Sequence, residues 1–132
     1  MKKFKFIYIV FLGMFLSTLS FADVKNLQPE TFYKKLTETK TAILLDVRTP
    51  YEYEKDGHIP NSNLIPIQVL PRYADKLLKY KDYPVFVYCR SGNRSLVAAK
   101  YLEKLGFKKV YNLEGGIIAW KRAGLPVKYG RN

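Results

Sequence analysis

Short apolar runs alternating with segments of helical spacing constrain this chain more than anything else in it. Ala42-Ile43-Leu44-Leu45-Asp46-Val47 and Pro84-Val85-Phe86-Val87-Tyr88 have the length and near-continuous apolar character of buried strands. Lys109-Val110-Tyr111-Asn112-Leu113 reads as a further short strand. Between them, Pro29 fits the first position of a helix, with Glu30 complementing its dipole and Phe32 and Leu36 on its apolar side. Leu70, Tyr73, Leu77 and Tyr80 predict a single helix with Pro71 in its first turn. Leu96 to Leu105 carries Ala98, Tyr101, Leu102 and Leu105 at helical spacing and is closed by Gly106. Glu114-Gly115-Gly116 through Trp120, a residue expected in the core, opens a last helix that ends near Gly124-Leu125-Pro126. Asp23 to Gln28 reads as a short lead-in. Strands alternating with helices predict an α/β fold with a mainly parallel sheet. Ligands bind such sheets beyond the carboxyl ends of their strands.

One such end carries Cys89-Arg90-Ser91-Gly92-Asn93-Arg94-Ser95. The cysteine falls between a strand and a helix N-terminus, where unpaired N–H groups favour an anion or a thiolate. Gly92 allows a tight turn, and Ser91 and Asn93 suit one. Arg90 and Arg94 add two guanidinium forks able to grip an oxyanion. An inert, packed thiol needs no flanking guanidiniums, and a loop that merely bound phosphate would need no thiol. The residues describe an anion cradle with a sulfur nucleophile at its base.

The N-terminus bears on where that sulfur works. Met1-Lys2-Lys3-Phe4-Lys5, the apolar run Phe6 to Leu19 and the small residues of Ser20-Phe21-Ala22 predict a secretory leader over residues 1–22, cleaved before Asp23. The run is shorter than the ~20 residues that span a bilayer comfortably, so no stable membrane anchor is expected after cleavage. This predicts one exported domain over residues 23–132, periplasmic in a Gram-negative source. Removing Lys2, Lys3 and Lys5 from 23 basic residues leaves 20 against 11 acidic ones, a charge of +9. The remaining lysines, such as Lys34, Lys55, Lys76, Lys100 and Lys121, are spread along the chain without forming a stripe, so no nucleic-acid partner is expected; a general attraction for anionic substrates is. A single cysteine in 132 residues excludes an internal disulfide. An unpaired thiol in an oxidising compartment invites a functional explanation.

Asp46, Arg48 and Glu52 close the first long run, and Arg48 is expected to pair with Glu52 if a short helix forms near Pro50. A bracing role suits the three better than a catalytic one. His58, the only histidine, lies in the turn-rich Gly57-His58-Ile59-Pro60-Asn61-Ser62 and reads as a packing residue before a general base. One His and one Cys leave a metal site short of ligands.

At this point three separated motifs resemble the rhodanese (sulfurtransferase) family: Leu45-Asp46-Val47-Arg48 with Glu52 and Gly57-His58-Ile59-Pro60; the Cys89 to Ser95 loop; and Glu114-Gly115-Gly116 with Ala119-Trp120. They span about residues 28 to 127. The resemblance implies a single α/β domain with about five parallel strands flanked by helices. It implies that Cys89 carries sulfur as a persulfide and that the backbone of Arg90, Ser91, Gly92, Asn93, Arg94 and Ser95 surrounds that sulfur. It makes Asp46, Arg48, Glu52 and His58 structural. Asn61-Ser62 departs from the Gly-Ala of many members, and Asn tolerates left-handed geometry. The implied reaction moves sulfane sulfur from a small anionic donor such as thiosulfate to a thiol, or to cyanide in assays, without metal or cofactor.

Four alternatives stay in view. A Cys-His protease is not excluded by residue count, although its nucleophile needs no arginines beside it. A cysteine phosphatase places five residues between Cys and Arg, whereas Arg94 leaves four, a loop closed down towards a single sulfur atom. A redox or sulfur-relay protein would act through Cys89 on a partner protein. An inactive binding module is argued against by the intact cysteine and complete loop.

Overall fold

The computed structural model describes residues 23–131, and the expected leader lies outside the described residues. Strands β1 (Lys25–Leu27), β2 (Ile43–Asp46), β3 (Asn63–Leu64), β4 (Val85–Tyr88) and β5 (Val110–Leu113) pair in parallel in the order β1-β5-β4-β2-β3. Helices α1 (Pro29–Glu38), α2 (Pro50–Lys55), α3 (Ala74–Leu78), α4 (Asn93–Leu105) and α5 (Gly116–Arg122) connect them, with a 3₁₀ segment over Ile67–Tyr73.

Burial on both faces explains why the central runs are continuously apolar. Val85 and Val87 of β4, and Cys89 just after it, enter one core with Ala98, Ala99 and Leu102 of α4. Phe86 and Tyr88 enter the opposite core with Phe32, Ile117 and Trp120. Trp120 is fully buried, edge-on to Phe32, and its Nε1–H donates to the Pro126 carbonyl at 2.8 Å.

Two expectations about elements are corrected. The lead-in contains β1, an edge strand held by β5, because Lys25, Asn26 and Leu27 pair with Tyr111, Asn112 and Leu113. The single helix expected through Leu70 and Tyr80 is a 3₁₀ segment with Pro71 inside it, followed by the one-turn-plus α3. The segment already begins at Ile67, which puts Pro71 past the first turn, where a continuous α-helix would need the N–H it lacks. Only Leu70 and Leu77 of the four marker positions are buried, while Tyr73 and Tyr80 are exposed.

The chain order then locates the site. From β2 the chain moves on to β3, and from β4 to β5, on opposite sides of the adjacent β2–β4 pair. Loops that diverge in this way leave a crevice at the carboxyl ends of the two strands. Cys89 directly follows β4 there.

Candidate active site

Helix α4 begins three residues before the expected start, so Asn93, Arg94 and Ser95 form its first turn. Its N-cap, Gly92, has φ +105° and no side chain to cap the helix. The cysteine sulfur fills that role. Cys89 Sγ accepts from Gly92 N–H at 3.1 Å, Ser95 N–H at 3.3 Å and the Ser95 hydroxyl at 3.2 Å. These first-turn N–H groups are the ones a helix leaves without internal partners. Donors converging from one loop favour negative charge on the atom they surround. Cys89 is 1% exposed and Ser95 is fully buried, so little water competes for those donors.

The β5–α5 turn holds the loop from behind. Ile117 N–H donates to the Cys89 carbonyl at 2.9 Å, and Ile118 N–H to the Arg90 carbonyl at 3.2 Å. Gly116, at φ +61°, permits this approach, since a Cβ there would lie 2.2 Å from the Arg90 oxygen. Asn112 of β5 donates from Nδ2 to the Gly92 carbonyl at 3.3 Å. The motif resemblance includes Gly115-Gly116 without a role for them, and the sequence places Asn112 only within a strand. A polar residue in an otherwise apolar run was the available signal.

The two arginines do different things. Arg94 makes a two-pronged pair with Glu52, Nη1 to Oε1 at 2.9 Å and Nη2 to Oε2 at 2.8 Å. It therefore ties α4 to α2, and its fork is not the open anion grip expected from sequence. The hydrogen bonds from Arg94, ahead of the Thr49 contacts and against partial burial, pull the Glu52 carboxyl down to about 2. Arg90 is exposed and forms no ion pair among the described residues. With Arg48, Asp56, Ile117, Ile118 and Lys121 it lines a cavity of about 230 Å³ adjoining the loop. Ser91 and Asn93 are exposed on the loop's outer side.

The expected Arg48–Glu52 pair is corrected. Glu52 sits at the third position of α2 and folds back over Thr49 in a capping box, which points it towards Arg94. Arg48 instead turns inward to Asp46, with Nη2 to Oδ2 at 2.7 Å and both side chains fully buried. Its Nη2 also donates to the Gly57 carbonyl at 2.7 Å. Asp46 and Arg48 thus fasten the end of β2 to the turn at Gly57. His58 is buried in that turn, stacked on Tyr53 at 3.6 Å with Nδ1 2.9 Å from the Tyr53 carbonyl oxygen. Asn61 takes up the left-handed conformation, φ +69°. Tyr88, its phenol pushed strongly upward by burial and then by the Asp46 charge, accepts from Ile59 N–H at 3.0 Å. No group of three or more His, Cys, Asp and Glu side chains among the described residues is placed to hold a metal.

A parallel α/β sheet thus delivers one cysteine sulfur to three donors at a helix N-terminus. Comparison with known proteins gives the family. Residues 28–123 match the rhodanese-like domain model, and the chain belongs to that family. It is 40% identical over 104 residues to a sulfurtransferase of Allochromatium vinosum, covering 79% of this chain and 94% of that one. A rhodanese-related protein of Thermoplasma volcanium superposes with a TM-score of 0.68 at 36% identity, covering 79% of this chain and 97% of that one. The tRNA uridine(34) hydroxylase of Chlamydia trachomatis is 45% identical over 114 residues, 81% of this chain. The match spans 33% of that longer protein. The family supports a sulfur-transfer enzyme.

Proposed function

We propose that the protein transfers sulfane sulfur from a small anionic donor such as thiosulfate to a thiophilic acceptor through a persulfide on Cys89. The observation that carries this reading is the set of three donors on one sulfur, contributed by Gly92 and Ser95. In the first half-reaction the Cys89 thiolate attacks the outer sulfur of thiosulfate. A new S–S bond forms, the bond to the sulfonate sulfur breaks, and sulfite leaves with its electron pair. In the second, cyanide or a thiolate attacks the terminal sulfur and the S–S bond breaks towards Cys89. The thiolate returns, and thiocyanate or an acceptor persulfide departs. Charge on the terminal sulfur falls within reach of donors that already serve the thiolate.

Arg90 and Lys121 bring positive charge to the adjoining cavity and suit the sulfonate end of the donor. Arg94, held by Glu52, shapes the loop. The four-residue gap between Cys89 and Arg94, together with the Arg94–Glu52 pair, weighs against the phosphatase reading. We also place this activity outside the cytoplasm, in a periplasm for a Gram-negative source, on the strength of the leader pattern in residues 1–22.

Initial rates measured with thiosulfate and cyanide both varied test the reading. Parallel double-reciprocal lines are expected, as a covalent intermediate requires. Cys89→Ala should be inactive, and Arg90→Ala should raise KM for thiosulfate about tenfold with kcat little changed. Intersecting lines, or turnover by Cys89→Ala, would overturn the persulfide route. Trapping of a partner protein through Cys89 without thiosulfate turnover would move the assignment to a redox or sulfur relay.

A further inference from the structure

We infer that Asn112 is a positioning residue that directs the Ser95 hydroxyl proton onto the Cys89 sulfur. The inference rests on Cys89 being the reacting atom and follows from counting protons and lone pairs. A serine hydroxyl has one hydrogen to donate, and a carbonyl oxygen has two lone pairs. The Ser95 Oγ stands 3.2 Å from Cys89 Sγ and also 3.2 Å from the Gly92 carbonyl oxygen, so the two acceptors compete for one proton. The Gly92 oxygen already accepts from Leu96 N–H at 3.1 Å. Asn112 Nδ2 fills the other lone pair at 3.3 Å. With both lone pairs taken, the Ser95 proton belongs to the sulfur.

The amide is built for this use. Its second Nδ2 hydrogen goes to Asn26 Oδ1 at 2.9 Å, so edge strand β1 fixes its orientation. The reversed amide would set oxygen against the Gly92 oxygen. Asn112 is 3% exposed among Val110, Tyr111 and Leu113, and its own Oδ1 has no hydrogen-bond partner. A buried, half-satisfied amide costs stability that leucine at the same place would not. What Nδ2 does for the loop offsets that cost.

Asn112→Leu, Ser95→Ala and the double variant test the coupling in the full-length chain. The readouts are the rate of Cys89 alkylation by iodoacetamide and the ultraviolet thiolate absorbance at neutral pH. Cys89 is the only cysteine, so both signals come from one sulfur. Ser95→Ala should slow alkylation about tenfold, and Asn112→Leu roughly three- to tenfold, as the hydroxyl turns to the Gly92 oxygen. The double variant should match Ser95→Ala alone, because Asn112 acts only through that proton. Asn112→Ser, too short to reach Gly92 but still polar towards Asn26, should repeat the result if the leucine variant does not fold. An Asn112 effect of equal size in both backgrounds, or none in either, overturns the inference. Alkylation needs no sulfur donor, so a failure of the thiosulfate reading leaves this test intact, and the reverse also holds.

Discussion

At the level of single residues the site depends on close approach. Gly116 lets the β5–α5 turn lie against the Arg90 carbonyl, and a methyl group there would meet that oxygen at 2.2 Å with the backbone already left-handed. Gly116→Ala should therefore destabilise the fold by more than about 2 kcal/mol, read as a lowered denaturant midpoint. Any folded fraction should load sulfur more slowly, because the carbonyls of Cys89 and Arg90 lose their partners on Ile117 and Ile118. Cys89 and its loop were legible in the sequence because everything that marks them is local: an apolar run, one thiol, a glycine and a helix start. Arg94 was misread because its partner, Glu52, lies 42 positions away, and nothing nearby distinguishes a guanidinium that is already paired from one waiting for an anion. Asn112 was missed for the same reason, since its target Gly92 is 20 positions away.

At the level of elements, the Glu52–Arg94 pair joins α2 to α4 across the crevice, and its pH dependence has a fixed sign. The folded Glu52 carboxyl is depressed from near 4.5 to about 2. Its contribution is thus present above the unfolded value and lost as pH falls through that window. With the Arg94 side chain 35% exposed, solvent screening limits the contribution to about 1 kcal/mol. Thermal midpoints of wild type and Glu52→Gln should differ at neutral pH and converge between about pH 4.5 and pH 2; a constant difference would contradict the pairing. The alternation of strands and helices was readable because both faces of β2 and β4 are covered. Edge strand β1 was not, since its three residues, two of them exposed, take their conformation from β5. The break at Pro71 was hidden by tyrosines at helical spacing whose rings turn out to be exposed.

At the level of the whole molecule, the sheet order places one thiol at the divergence of the β2 and β4 connections, so reactivity can be read from a single atom. The measurement that follows is the intact mass of the purified protein after incubation with thiosulfate, beside Cys89→Ala. The same spectrum tests the proposed leader cleavage, which would start the chain at Asp23. A gain of one sulfur atom (about 32 Da) is expected on wild type alone, discharged by cyanide with release of thiocyanate. No gain on wild type, or an equal gain on Cys89→Ala, would contradict sulfur transfer from thiosulfate through Cys89.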